Sequence, residues 1–288
     1  MIDLKQDFRI RRAEQGDLAA LTLLMQRKSF VHRHLGWHPP LAWLGKNPFF
    51  VLEGYQGIQA ALAFPPDEDG ITWLRLFAVA PGLSVPSVWK ELWPAAIDWY
   101  RDNTSAEFIN TLVIQEEMSS ILLQSGFEEV NQVVVLIWDV IRAQWPDKVT
   151  EYPIRNIQVE DYQQIYKIDQ LAFEPIWRNS LSQLEAAHLE AVSATVIEWE
   201  GEVVGYQIST TNPQGGHLAR LAVNPSYQNR GFATQLLTHL LERFQEFGIV
   251  EVTVNTQSKN SVSLDLYSKF GFVLQDEVFP VLQFDARS

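Results

Sequence analysis

The sequence predicts an α/β chain, more closely α+β, built as two tandem domains, each a mixed and mainly antiparallel sheet flanked by helices. Three observations carry that prediction. Five segments of the first half recur in the same order in the second, at a spacing of 142 to 145 residues. Each half joins two apolar strand patterns through a short glycine turn, the mark of a hairpin. Each half then alternates strand and helix patterns, which calls for a sheet with helices on its faces.

The repeat runs element by element. FRIRRAEQGDLAAL (8–21) matches YPIRNIQVEDYQQI (152–165): a short strand, an acidic turn, then the start of an amphipathic helix. FVLEGYQGIQAALAF (50–64) matches TVIEWEGEVVGYQIS (195–209), two strands joined at Gly57 or Gly201. LFAVAP (76–81) matches RLAVNP (220–225), each a strand stopped by a proline that cannot continue the ladder. A helix follows, then FINTLVI (108–114) or VEVTVNT (250–256), then a second helix that runs out at Gly126 or Gly271. A last strand is expected to close each half, giving the order β-α-β-β-β-α-β-α-β twice. The prolines and polar residues of WPDKVTEYP (145–153) mark the joint, so the expected domains are 1–147 and 148–288.

Composition narrows the function. A chain of 288 residues is long enough for two cores, and 47% apolar with 20% charged residues is the balance of a globular protein. There is no cysteine, which excludes disulfides, cysteine nucleophiles, thiolate zinc sites and iron–sulfur clusters. The net charge of −13 argues against nucleic acid and anionic membranes as partners, since both need a basic face. It would favour cationic substrates such as amines, and solubility explains it equally well. The longest apolar run, VVVLIW (133–138), is far too short to span a bilayer. MIDLKQDFRIRRAEQGD lacks the apolar core of a signal peptide, so a cytoplasmic location is expected.

One turn carries chemistry. In LAVNPSYQNRGFATQLL (221–237) a strand ends at Val223 and a helix begins near Gly231. That helix places Phe232, Leu236, Leu237, Leu240, Leu241 and Phe244 on one stripe, with Gly248 as its expected C-cap. Free N–H groups and the positive end of the helix dipole meet at its start, which makes an anion site. Gly231 permits a left-handed or close-approach backbone, and Ala233 leaves room for a phosphate. Gln228 and Arg230 add side-chain donors. Packing alone also produces such turns in α/β proteins.

Q-x-x-G-x-A after A-V-x-P, followed by Asn260 and by Tyr267 in NSVSLDLYSKFGF, resembles the GNAT superfamily of N-acetyltransferases over roughly residues 152–284. The resemblance implies two tandem GNAT-like domains and acetyl-CoA as cosubstrate. It implies that the diphosphate sits on the backbone amides of Asn229, Arg230, Gly231, Phe232, Ala233 and Thr234, beside Gln228. The pantetheine arm would pair as an extra strand against Leu221, Ala222 and Val223, Asn260 would bond to the arm, and Tyr267 would lie beside the sulfur. A neutral amine attacks the thioester directly, so no protein nucleophile is needed, in keeping with the missing cysteine. The departing thiolate needs a proton, and Tyr267 is the expected general acid. A core tyrosine beside Leu266 and Phe270 is the plain alternative.

The base is open. Family members often carry a glutamate on the strand before the turn, and GGHLARLAV (215–223) has none. His217 shares alternation parity with Ala219, Leu221 and Val223, and an ordinary histidine pKa of ~6.5 would suit proton removal. A histidine that merely ends a strand fits equally. Glu174 and Asp169, in KIDQLAFEPIW (167–177), are further candidates. IDQLAFEPIW also resembles the substrate-side helices of protein N-terminal (ribosomal-protein alanine) acetyltransferases, although its aromatic residues could simply pack a lid.

The first copy reads as degenerate. The repeat spacing puts Ser84, Val85, Pro86, Ser87 and Trp89 at the places of Gln228, Asn229, Arg230, Gly231 and Ala233. Pro86 removes a donor and Trp89 fills the phosphate space. Leu122 stands for Tyr267 and Gln115 for Asn260. The first domain is therefore expected to lack the acetyl-CoA motif and to pack against the second and shape its amine pocket. Eight of the ten tryptophans lie at or before Trp145, in keeping with that role and also with core filling. VHRHLGWHPP (31–40) holds His32, His34 and His38 with no acid nearby, and its prolines predict a surface or pocket-rim loop rather than a metal site. No metal is expected. The expected activity is acetyl transfer to a primary amine, of a small molecule or a protein N-terminus. A non-catalytic acyl-CoA-binding or regulatory module is the alternative. Acceptor identity, acyl length and oligomeric state are not written in the sequence.

Overall fold

The computed structural model describes residues 8–27, 29–146, 151–213 and 215–288, and the expected joint at 147/148 lies outside the described residues. Two compact units are present, and they are not the two halves. One comprises Met1–Val130 with Pro280–Ser288, the other Asn131–Phe279.

The first unit runs through β1 (Arg9–Arg12), α1 (Leu18–Gln26), β2 (Phe30–Arg33), β3 (Phe49–Gly54), β4 (Gly57–Ala63) and β5 (Thr72–Trp73). It continues with β6 (Leu76–Val79), α2 (Val85–Asn103), β7 (Phe108–Leu112) and α3 (Glu116–Gln124). An antiparallel sheet has the order β1-β3-β4-β6-β2. Its central strands are apolar almost throughout because both faces are covered. Phe50, Leu52, Ala60 and Leu62 pack with Trp89, Leu92 and Trp93 of α2. Phe49, Val51, Ala61 and Ala63 pack on the opposite face with Leu21 and Leu24 of α1. Trp89 and Trp93 stack at 4.9 Å inside this core.

The second unit takes its first strand from β8 (Glu128–Asp139), entered at Asn131. Then follow β9 (Ile154–Asn156), α4 (Tyr162–Ala172), α5 (Leu181–Glu190), β10 (Ser193–Trp199), β11 (Glu202–Asn212) and β12 (Gly215–Val223). The rest is α6 (Phe232–Glu246), β13 (Glu251–Gln257), α7 (Ser261–Lys269) and β14 (Val273–Asp285). Strand order within the unit is β9-β10-β11-β12-β13-β8, antiparallel except for the parallel pair β12–β13.

The expectation that a last strand closes its own half is corrected. Val133–Asp139 pairs with β13 in the second unit, and Val281–Asp285 pairs with β7 in the first. Packing explains the exchange. Leu136 and Trp138 lie in the second unit's core with Leu240, Phe244 and Phe270. Phe284 meets Trp93 and Phe127 in the first, at ring distances of 5.1 and 5.3 Å.

The histidine segment is also corrected. Phe30–Arg33 is a strand paired with β6, not a loop. His32 is buried and shares a 2.9 Å hydrogen bond with Thr111, and His34 stacks on Trp73 at 4.5 Å. Burial pushes the His32 pKa down to about 4 and that of His34 well below its ordinary value, so both rings are neutral at pH 7. The two prolines govern only the chain beyond the strand.

Elsewhere the repeat is kept in detail. Arg11 forks onto Asp17 at 2.7 and 2.9 Å and onto Glu53 at 2.8 and 3.1 Å. Arg155 forks onto Asp161 at 2.6 and 2.9 Å and reaches Glu198 at 2.7 Å. Each pins the opening strand to its acidic turn and to the hairpin. No helix among the described residues is long and apolar enough to cross a membrane.

Candidate active site

A cleft of about 890 Å³ opens in the second unit where two strands part. β12 and β13 pair only from Gly216–Val252 to Leu218–Val254. Beyond that, Arg220–Val223 pairs with β11 alone, so among the described residues no strand covers its other edge. The divergence starts at a bulge: Leu218 and Arg220 pair with the consecutive residues Ser209 and Ile208, leaving Ala219 over. Leu221, Ala222 and Val223 line the cleft.

The strand leads into the predicted turn. Asn224 caps the short 3-10 turn Pro225–Tyr227 by accepting the Ser226 N–H at 3.0 Å. Asn229 (φ 62°) and Gly231 (φ 89°) are both left-handed, a conformation that glycine takes freely and asparagine more readily than most residues. The helix α6 starts at Phe232 with no side-chain cap, so its first N–H groups stay open. Gln228, Asn229, Gly231, Phe232, Ala233 and Thr234 all line the cleft. The Phe232 ring itself is buried, as are Leu236, Leu237, Leu240, Leu241 and Phe244, which is the predicted stripe. Successive N–H groups at a helix start form a concave, electropositive seat. Arg230 does not line it; its guanidinium lies 5.4 Å from the Tyr227 ring centre.

Residues of α7 line the same cleft. Asn260 caps this helix, accepting the Ser263 N–H at 3.2 Å while its amide donates to Gln257 at 3.2 Å. Tyr267 is 5% exposed, lines the cleft, and its hydroxyl makes no hydrogen bond among the described residues. Burial pushes its pKa above the ordinary tyrosine value, so at neutral pH it holds its proton.

The three candidate bases fare differently. The bulge at Ala219 breaks the alternation, so His217 shares a face with Arg220, not with Leu221 and Val223. It bonds to Thr253 at 2.9 Å, burial lowers its pKa, and it does not line the cleft. Asp169 is fully buried with both oxygens engaged: Oδ1 accepts the Asn179 N–H, and Oδ2 accepts from Arg220 and the Tyr206 hydroxyl. Glu174 lines the cleft beside Phe173 and Trp177. Sequence reasoning missed Arg220, whose signal was a lone cation inside an apolar strand. It also missed Asn131 on the cleft wall, because β8 had been given to the other half.

At the corresponding place in the first unit the edge of β6 is covered. β2 pairs along it from Phe30–Val79 to Arg33–Leu76. From β2 the His32 ring reaches Thr111 of β7, and Gln115 donates to the Val31 carbonyl at 3.4 Å. Pro86 occupies the first turn of α2, and Trp89 is buried with its indole N–H donating to Ser125 at 2.8 Å.

A parted parallel strand pair beside an open, glycine-started helix is the arrangement that the resemblance to the GNAT superfamily implies. The sequence model of the Acetyltransferase (GNAT) family matches residues 154–272. An N-alpha-acetyltransferase of Sulfurisphaera tokodaii is 32% identical over 140 residues, 43% of this chain and 82% of that protein. A ribosomal protein bS18-alanine N-acetyltransferase of Haemophilus ducreyi is 27% identical over 120 residues, 41% and 81% of the two chains. The chain belongs to the GNAT acetyltransferase family. Over almost the whole length its fold is similar to that of a tandem GNAT protein from the clavulanic acid biosynthesis pathway (TM-score 0.64, 14% identity, 97% and 98% covered). A GCN5-related N-acetyltransferase from Sphaerobacter thermophilus is similar in the same way (TM-score 0.63, 14% identity, 99% and 98% covered).

Proposed function

We propose that the second unit transfers acetyl from acetyl-CoA to a primary amine, the α-amino group of a polypeptide or a small amine. The uncovered edge Leu221–Val223, leading into left-handed Asn229 and Gly231 and the open start of α6, carries this reading. The edge offers main-chain groups to the amides of the pantetheine arm. The helix start offers N–H groups to the diphosphate. Asn260 and Tyr267 face the arm and the sulfur. The neutral amine attacks the carbonyl carbon, an N–C bond forms, the C–S bond breaks, and the thiolate takes its proton from the Tyr267 hydroxyl. Glu174, on the same wall as Phe173 and Trp177, removes the proton from the incoming amine; His217 and Asp169 are held elsewhere. Relatives that include an N-alpha-acetyltransferase and an alanine N-acetyltransferase support an N-terminal amine as acceptor.

In the same reading the first unit binds no acetyl-CoA, because β2 stands where the arm would lie and Trp89 where the phosphate would. Calorimetry with acetyl-CoA, paired with thiol release on a panel of amines, tests both statements. One equivalent bound with amine-dependent thiol release is expected. No heat defeats the acetyltransferase reading, heat without turnover leaves only a binding module, and two equivalents defeat the assignment of the first unit.

A further inference from the structure

Among the described residues Arg220 is a largely buried cation in the second unit's sheet beside the cleft, and the mechanism above leaves it without a task. Its side chain is 13% exposed and that of Asp169 is 0%. Nε donates to Asp169 Oδ2 at 2.8 Å, and Nη2 lies 2.6 Å from the same oxygen. Nη2 also donates to the Trp177 carbonyl at 2.8 Å, and the guanidinium lies 3.5 Å from the centre of the Phe173 ring. Asp169 is itself fixed by the Asn179 N–H at 2.9 Å and by the Tyr206 hydroxyl.

One side chain thus holds both ends of the turn Phe173–Trp177, and that turn presents Phe173, Glu174 and Trp177 to the cleft. The backbone of Arg220 is continuous with Leu221–Val223, the edge assigned to the acyl donor. We propose that Arg220 is a positioning residue that ties the acceptor wall to the donor strand and so sets where the amine stands relative to the thioester carbonyl. This rests on the acetyl-transfer reading. The chemistry demands such a tie, because direct attack draws its rate from placement, and a misplacement of about 1 Å costs on the order of 10²-fold. The residue type follows from the geometry. A planar fork can grip a carboxylate and a carbonyl while stacking on a ring, which a lysine ammonium cannot do. A buried ion pair adds little stability of its own and suits a role in fixing geometry.

The test uses the full chain with Arg220→Lys, and with Arg220→Met joined to Asp169→Leu so that no buried charge is left alone. Acetyl-CoA affinity is read by calorimetry, and transfer with a hexapeptide bearing a free N-terminal alanine and, in parallel, with butylamine. Both variants are expected to bind acetyl-CoA within three-fold of the unmodified protein. Their kcat/KM for the better acceptor should fall at least 30-fold, mainly through kcat, while the share of thiol released to water rises. Amine kinetics within three-fold of the unmodified protein in either variant overturn the proposal. So does loss of acetyl-CoA binding in both, which makes Arg220 a fold residue only. An unmodified protein that releases no thiol with any amine removes the acetyl-transfer reading, and this proposal with it; that outcome is separate because the variants play no part in it.

Discussion

In the first unit β6 is paired along both edges, by β4 and β2; in the second unit β12 beyond its bulge is paired along one. The two strands descend from one cadence, LFAVAP and RLAVNP. What separates them is the segment after the first helix. By the repeat spacing Phe30–Arg33 corresponds to Glu174–Trp177. In the first unit that segment is the strand that covers the edge. In the second it holds Pro175, which has no N–H for a ladder, and it forms a 3-10 turn gripped by Arg220. On the acetyl-transfer reading, an edge left open for the acyl donor and an edge filled by the chain's own strand are thus alternatives of one design. A few residues choose between them.

The sharpest test of the contrast is Tyr267, for which the first unit has the core residue Leu122. Tyr267→Phe should lower kcat by about 10²–10⁴ while leaving acetyl-CoA affinity unchanged. The acid works only while protonated, and burial raises its pKa above the usual ~10, so its loss on the alkaline side falls above pH ~10. Between pH 7 and 9 the rate should follow only the fraction of neutral amine. A variant with full turnover would return Tyr267 to the role of core tyrosine.

Next in size is the exchange of closing strands. Phe284→Ala, near the end of the chain, should cost about 3–5 kcal/mol in the first unit, and Trp138→Ala a similar amount in the second. Scanning calorimetry with and without acetyl-CoA separates the two, since only the second unit is expected to be stabilised by ligand. If Phe284→Ala destabilised the ligand-responsive transition, the exchange would be wrong. A fragment that begins at residue 150 lacks Val133–Asp139 and should not fold.

Grafting the plug comes third. Ala233→Trp places the first unit's bulk at the helix start of the second and should weaken acetyl-CoA binding at least 100-fold, about 2.7 kcal/mol. The reverse change, Trp89→Ala, should open a cavity without creating a second site, because β2 still covers the edge. A stoichiometry that rose to two would show that Trp89 alone had been the barrier.

What was legible in the sequence is what depends on near neighbours. The hairpins at Gly57 and Gly201, the stripe of α6 and the left-handed Gly231 follow from local periodicity and glycine geometry, and they stand where expected. Asn260 and Tyr267 are brought to the cleft on the helix that was predicted. The misses each turn on something that alternation does not encode. One extra residue at Ala219 reverses the parity on which the placing of His217 depended. The pattern of β8 says which residues face a core, not which sheet edge it joins, so the exchange stayed hidden. β2 looked like a loop because its partner strand lies 43 to 49 residues further along. The Arg220–Asp169 clamp joins residues 51 apart, and nothing in either neighbourhood predicts the other.

The smallest effect sharpens the comparison from the side where the units agree. Asp17 and Asp161 have pKa values below the usual carboxylate range, first because Arg11 and Arg155 bond to them and also because each accepts a backbone N–H. A depressed carboxylate stabilises the fold above its unfolded pKa of ~3.9, and the contribution is lost as pH falls through the folded value. Asp17→Asn and Asp161→Asn should therefore each cost about 0.5–1 kcal/mol at pH 7, a modest figure because the arginines are partly solvated. The cost should shrink in 1 M salt and disappear once the wild-type carboxylate is protonated. The two aspartate side chains are 14% and 9% exposed, so the two losses should agree closely. Matched losses would mean that duplication kept the frame while the ligand slot diverged. A several-fold larger loss at Asp161 would mean that the frame had also been tuned to the open cleft, most directly through β10, whose Glu198 shares the Arg155 fork.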